Sequence, residues 1–386
     1  MKYDFYSLYP PADIRLPFIH TTHTHTTDAP EDVCFGVAEM KFKVLPEITE
    51  LLSKAAANGF LGYIDITDEF YETVKAWHKA RHNWEVQREW FRPVSGVVPS
   101  IGAAIRAFTN PGDGVIVQLP IYPPFISQVE RNGRKVVENR LILKEGHWEI
   151  DFNRLEADAA RPDVTAIVLC SPHNPTGRVW TREELTQIAD IAKRNHLFVI
   201  CDEIHSDLIM PGYTHTVFSQ AANGVRHVVL NAPSKTFSIP GLSCALAFVP
   251  DEDDRKLLFP SMHREMGGYH NIMGILACGA GYRWGGAWLD ECCSVIAEND
   301  RILRSALAEY FPEVQMARAE GTYLRWADFS CLGKTPKELE ELFNKAHFYA
   351  EPGQEFDPQL PAFIRINIAC PGQYITPAVC RLHDAL

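Results

Sequence analysis

Cysteine pairs spaced for a metal are missing from this sequence. Its 10 cysteines run from Cys34 to Cys380 with no Cys-x-x-Cys among them, and the adjacent Cys292–Cys293 lacks zinc-ligand spacing. Cys170, Cys201 and Cys278 sit in apolar stretches, where a thiol acts as a small hydrophobe, so reduced thiols in a cytoplasmic protein are expected. Basic residues are in deficit. The 37 Lys and Arg against 49 Asp and Glu leave a net charge of −12, which argues against a nucleic-acid backbone or an anionic membrane as the main partner. Local positive pockets stay open, since a phosphate site needs only a few aimed donors. No run reaches the roughly 18 uncharged apolar residues of a membrane span. The opening MKYDFYSLYPPADIRLPF, with its acids and prolines, has no apolar core of the signal-peptide kind. The Gly-x-Gly-x-x-Gly turn of a dinucleotide-binding fold is absent, as are internal repeats and low-complexity tracts.

What is present is the composition of a globular chain. With 386 residues, 46% hydrophobic and 22% charged, it is long enough for two cores of unequal size. Residues 1–45 are rich in Pro, His and Thr. His20, His23 and His25 stand at gaps that read as a solvated extended arm rather than a metal site. Residues 46–58 read as a helix ending at Gly59, 64–90 as helical, and 100–108 as a short apolar helix stopped by Asn110-Pro111-Gly112. The runs 115–119, 166–170, 197–201 and 227–230 are β-type and alternate with helical stretches such as 182–194. That alternation predicts an α/β fold, a mostly parallel sheet covered by helices on both faces. The last hundred residues differ, with a long helical stretch at 287–310, β-type pieces near 321–328 and 363–368, and a helix near 336–347. The expected division is a large domain at 46–280, with 1–45 and 281–386 forming an arm and a smaller α+β domain.

The polar clusters fall just after the β-type runs, where open α/β sheets bind their ligands. AIVLC is followed by Ser171-Pro-His-Asn174-Pro-Thr-Gly177, LFVIC by Asp202-Glu-Ile-His205, and HVVL by Asn231-Ala-Pro-Ser234-Lys235-Thr236. Three successive strand ends therefore deliver an amide, a carboxylate and an amine toward one crevice. Pyridoxal-phosphate (PLP) chemistry uses such a set: an amine to form the imine and move the proton at the substrate Cα, a carboxylate to keep the pyridine nitrogen protonated, and a donor beside the ring oxygen. Lys235, Asp202 and Asn174 can fill those roles. For Lys235 to act as a base its ammonium pKa must fall, through burial and nearby cationic charge.

SPHNPTG, CDEIH and APSKTFSIPG, in that order, resemble the signatures of the fold-type I PLP enzymes, the aspartate-aminotransferase superfamily, over about residues 59–365. The resemblance implies the PLP-transferase fold and PLP as cofactor, with further site residues to match. Ser95-Gly96-Val97-Val98 opens a helix whose N–H groups would face the cofactor phosphate. Tyr122, which alone would read as a packed turn tyrosine, would stack on the ring. Ser234 would bind the phosphate, and Tyr63 would reach the phosphate of a neighbouring subunit, implying a homodimer with a shared site. Arg365, in FIRINIACP, would clamp the carboxylate of an amino-acid substrate. Tyr323 and Glu351-Pro-Gly353 match segments lining the same cleft.

A finer resemblance points to one branch. GVVPS, LPIYPPF, CDEIHSDL, YRWGGAWLDE and GTYLRWADF look like the cystathionine β-lyase, or C–S lyase, group, with His205 where typical aminotransferases have tyrosine and Ser243 where many have a phosphate-binding arginine. The implied reaction is α,β-elimination. Lys235 removes the Cα proton, the sulfur substituent leaves from Cβ, and cystathionine or an S-substituted cysteine ends as pyruvate, ammonia and a thiol. A departure lies in Phe35-Gly-Val-Ala-Glu39-Met-Lys41-Phe, set against the group's usual WVADMDF, near the substrate entrance. His263-Arg264-Glu265 could also affect substrate choice. A class I/II-type aminotransferase shares the fold and the lysine and remains the alternative. A PLP-binding regulator without turnover would have little need of a carboxylate clamp such as Arg365.

Overall fold

The computed structural model describes residues 2–7, 33–265 and 270–386, so His20, His23 and His25 lie outside the described residues. Its strands are β1 (Phe91–Val94), β2 (Gly114–Leu119), β3 (Lys135–Arg140), β4 (Ile142–Lys144), β5 (His147–Glu149), β6 (Val164–Cys170), β7 (Phe198–Asp202), β8 (His227–Asn231), β9 (Ala245–Phe248), β10 (Gln315–Met316), β11 (Leu324–Asp328), β12 (Glu351–Pro352) and β13 (Phe363–Asn367). Seven of them make one sheet in the order β1-β9-β8-β7-β6-β2-β3. Neighbours from β8 to β3 run parallel, while β9 is antiparallel to both β8 and β1. The sheet is buried on both faces, as parallel sheets require. Alternate residues feed two cores. Val115, Val117, Ala166, Val168, Phe198 and Ile200 pack under the Val97–Phe108 helix, whereas Ile116, Ile167, Leu169, Val199 and Cys201 join the larger core on the other face.

Local chemistry sets the helix bounds. The Pro46–Asn58 helix ends where Gly59 takes a φ of 77°, a conformation that costs glycine little. The Arg182–Arg194 helix opens on a capping box between Thr181 and Glu184. Helical composition over 64–90 overstates the element. Thr67 caps a helix that runs only over Asp68–His82, and Asn83, at φ 48°, turns the chain out of it. The apolar helix expected from Ser100 begins at Val97, because Pro99 falls in the first turn, where its missing N–H costs nothing.

A second sheet, β10-β11-β13-β12, is antiparallel throughout. It packs with the Gly286–Tyr310, Pro336–Lys345 and Ile375–Asp384 helices. Of two helices not named from the sequence, Glu252–Glu265 packs against the Val97–Phe108 helix and Ile272–Trp284 against the Pro46–Asn58 and Asp68–His82 helices. Among the described residues no helix is long and apolar enough to cross a membrane, and no group of three or more His, Cys, Asp or Glu is arranged to hold a metal ion.

Candidate active site

The ends of β6, β7 and β8, the first turn of the Val97–Phe108 helix, and β12 and β13 together enclose a cavity of about 400 Å³. That is within the usual range of small-molecule sites, roughly 300–1,000 Å³. Lys235, Asp202, Asn174, His205, Ser234, Tyr122, Val97, Val98 and Arg365 all line it, so one wall gathers most of the residues singled out by sequence. Strand alternation explains Asp202: it shares the parity of Phe198 and Ile200 and so emerges beside the Val97–Phe108 helix.

Lys235 lies in a one-turn helix after β8, and its Nζ donates to the Ala38 carbonyl at 2.6 Å. Burial and, next, the charge of Arg365 bring its pKa down to about 8, against the opposing pull of Glu39, Asp202 and Glu351. Asp202 is fully buried. Its Oδ1 accepts the Ile204 N–H at 2.9 Å, yet burial pushes its pKa up to about 7. His205 is held neutral, its pKa taken down to about 3 by burial and then by Lys235 and Arg365. Arg365 is 1% exposed. Its Nη1 donates to Asn174 Oδ1 at 3.2 Å, its Nη2 donates to Gly36 O at 3.2 Å and meets Glu351 Oε2 at 2.5 Å, and its ring-facing side covers Phe356.

These features fit pyridoxal phosphate on grounds internal to the site. A buried carboxylate in a cavity wall calls for a cationic N–H beside it, which a pyridinium supplies. His205 Nδ1 and Arg365 Nε are buried with no hydrogen-bond partner among the described residues. Gly96 gives the Val97–Phe108 helix no side-chain cap, and first-turn N–H groups have no acceptor within a helix, so those of Val97 and Val98 are available to a phosphate. Asp202, Asn174, His205 and Tyr122 would surround the ring, Lys235 would hold the aldehyde carbon, and Ser234 with the helix start would hold the phosphate.

Three expectations fare differently. Tyr323 is fully buried but stands behind the wall, its hydroxyl donating to the same Ala38 carbonyl at 2.9 Å. Tyr63 is 80% exposed and outside this chain's own cavity. Within the segment that departs from the group, Phe35 is a core residue stacked on Phe348, and Lys41 is buried against Glu39 at 2.7 Å, so the reversed charge is balanced locally. His263 and Arg264 line a second cavity of about 780 Å³ that shares Ser95, Ser243 and Cys244 with the first. Sequence reasoning missed the Ala38 and Gly36 carbonyls, since a main-chain acceptor leaves no mark in residue type. It also missed the network behind Lys235, in which Thr236 Oγ1 donates to the buried Asp207 at 2.8 Å and Asp207 meets His82 at 2.9 Å.

The sequence profile of the family described as aminotransferase class I and II matches residues 30–382. The chain belongs to that family. Among its members, the cystathionine β-lyase PatB of Bacillus subtilis (strain 168) is 36% identical over 353 residues, 91% of each chain. The protein MalY of Escherichia coli (strain K12) is 29% identical over 355 residues, again 91% of each. Cystalysin from Treponema denticola, whose crystal structure contains a pyridoxal 5′-phosphate cofactor, superposes with a TM-score of 0.92 at 37% identity, covering 100% of this chain and 99% of that one. The fold is therefore the PLP-transferase fold of type I.

Proposed function

We propose that this protein is a pyridoxal-phosphate-dependent carbon–sulfur β-lyase, which takes an amino acid with sulfur on Cβ, such as cystathionine or an S-substituted cysteine, to pyruvate, ammonia and a thiol. The observation that carries it is the meeting of Lys235, Asp202 and Arg365 in one cavity of a chain so similar to a cystathionine β-lyase and to cystalysin. The cofactor, when bound, supplies an electron sink for the pair left by the Cα proton.

The residues supply everything else. Arg365 takes the substrate carboxylate through its two-pronged guanidinium and fixes Cα above the ring. Lys235, with a pKa near 8, is partly neutral around neutral pH, so it can accept the Cα proton without a large thermodynamic penalty. Asp202 would hold its negative charge beside the ring nitrogen of the cofactor, Asn174 and the neutral His205 would donate to its ring oxygen, and Tyr122 would cover one face of it. Val37, Ala38 and Ile204 add apolar surface to the same cavity.

Tyr63, with the exposed Phe60 and Leu61, supports a homodimer in which the 60–63 loop reaches a neighbour's site. A sedimentation profile of single chains would remove that part of the reading. The separation of the two sheets supports a large domain at 46–280, with an arm and small domain from 1–45 and 281–386. Ten free cysteines support a reducing, cytoplasmic setting, tested by cell fractionation.

The deciding experiment incubates the holoenzyme with cystathionine and S-alkylcysteines and assays thiol and pyruvate, with Lys235→Ala as control. Thiol release in the wild type and a fall of at least about a hundredfold in the variant are expected for loss of a catalytic base. A keto acid that retains its sulfur substituent would identify the protein as an aminotransferase instead.

A further inference from the structure

Lys235 is the third residue of a helix only four residues long, Pro233–Thr236. Here the Phe237 N–H donates to the Pro233 carbonyl at 2.9 Å and the Ile239 N–H to the Ser234 carbonyl at 3.0 Å. A single turn with so few internal bonds does not hold its own direction in water. What aims the lysine must come from outside the turn. Successive residues of a helix point about 100° apart, so Thr236 leaves the turn in a direction different from Lys235.

Thr236 is 1% exposed, and its hydroxyl donates to Asp207 Oδ2 at 2.8 Å. Asp207 does not line the active-site cavity; it lines a separate one of about 350 Å³. Its buried side chain is held from two further directions, by Trp77 Nε1, which donates to Oδ1 at 3.2 Å, and by His82 Nε2, which meets Oδ1 at 2.9 Å. Burial pushes the Asp207 carboxyl up, but the hydrogen bonds and charge of its partners, His82 foremost, outweigh burial and bring it below the ordinary 3.8. Thr236 therefore donates to an ionised acceptor, and the bond is charge-assisted. Trp77 and His82 belong to the Asp68–His82 helix, and the Trp77 ring stacks on Tyr282 of the Ile272–Trp284 helix with centroids 5.0 Å apart. Two packed helices hold the carboxylate, and the carboxylate holds the turn.

We infer that Asp207 is a positioning residue for proton transfer: by accepting the Thr236 hydroxyl it fixes the rotation of the turn and so aims the Lys235 amine at the substrate Cα. The inference rests on the reading above, in which Lys235 takes the Cα proton. An error of a few degrees in the turn is magnified along the lysine side chain, and a misplacement of about 1 Å at a reacting atom can cost about a hundredfold in rate. Arg365, the substrate clamp, stands on β13 and does not move with the turn. Rate and affinity should therefore part company.

The test uses holoenzyme and L-alanine, which has a Cα proton and no leaving group. In heavy water, nuclear magnetic resonance follows exchange of the Cα hydrogen, and the cofactor's absorption band follows binding. Thr236→Val keeps the shape of the side chain and removes the hydroxyl. Its exchange rate at saturation is expected to fall about ten- to a hundredfold, with L-alanine affinity within about twofold of the wild type. Thr236→Ser, which keeps the hydroxyl, retains most of the rate. Asp207→Asn puts a neutral acceptor in the same place and is expected to lose about three- to tenfold in rate, a second reading should Thr236→Val fail to fold. Undiminished exchange in Thr236→Val, equal losses in Thr236→Val and Thr236→Ser, or a fall in affinity that matches the fall in rate overturns the inference. Thiol release plays no part, so failure of the elimination reading leaves the result standing. A wild type that exchanges nothing removes the role given to Lys235, and the inference with it.

Discussion

Asp202 shows how an unfavourable residue becomes a useful one. A carboxylate buried in this wall has its pKa raised from the ordinary 3.8 to about 7. The native apoprotein therefore binds more protons than the unfolded chain between those two values. Stability from this group falls as pH rises from about 4 to 7 and stays low above that. The ceiling is about 4 kcal/mol for a shift of three units, and Asp202→Asn removes the effect. In urea denaturation of apoprotein, the variant should gain on the wild type progressively from pH 4 to 8, with the gain lost once cofactor is added. A difference that does not change with pH would show that Asp202 is not the strained anion. Residues of this kind were legible in the sequence, because Asn174, Asp202 and Lys235 follow apolar runs that can only be buried strands. The depth of Tyr323 was not, nor was the Ala38 carbonyl that Lys235 and Tyr323 share, since both depend on how a distant loop is laid across the site.

At the scale of an element, the Val97–Phe108 helix does two jobs. Ile101, Ala103, Ala104 and Ile105 bury it on the large sheet, which fixes the direction in which its first turn points. The Val97 N–H can be removed without breaking the helix, because proline suits the first helical position and Gly96 already has an extended ψ of 160°. Val97→Pro should weaken cofactor binding by about tenfold or more, the worth of one charge-assisted hydrogen bond, while changing the far-ultraviolet circular dichroism little. Absorption titration of apoprotein with pyridoxal phosphate measures it, and unchanged affinity would move the phosphate elsewhere. Most such elements could be read from periodicity and breakers, as with Gly59 after the Pro46–Asn58 helix and the capped Arg182–Arg194 helix. The antiparallel β9 and β1 could not. Strand direction leaves no trace in an apolar run as short as Ala245–Phe248. The Ile272–Trp284 helix was hidden as well, being apolar on nearly all sides and rich in glycine where it passes Leu242 and Phe237 at close range.

For the whole molecule, the buried histidines dominate the response to acid. His78, His173 and His205 are each brought from 6.5 to about 3, with burial the largest cause. The unfolded chain takes up their protons near pH 6.5 and the native protein does not, so stability present above pH 6.5 is lost as pH falls toward 3. Each can contribute at most roughly 5 kcal/mol, and together they rival a typical folding stability of about 5–15 kcal/mol. Circular dichroism should show cooperative unfolding before pH 4, and a native signal persisting to pH 3 would contradict it.

The carbonyl of Ala38 has a consequence for how this enzyme comes into being. Gly36, Val37, Ala38 and Glu39 are tied down by Arg365, Asn367, Tyr323 and Lys235, across sequence separations of up to 330 residues. A chain emerging in order can complete β1 to β9 and still present an unfinished pocket, because the strip that shuts it waits for β13 to be made. Activity therefore arrives as the last act of folding, and a nascent chain halted after β9 keeps its reactive amine unguarded and its pocket ajar.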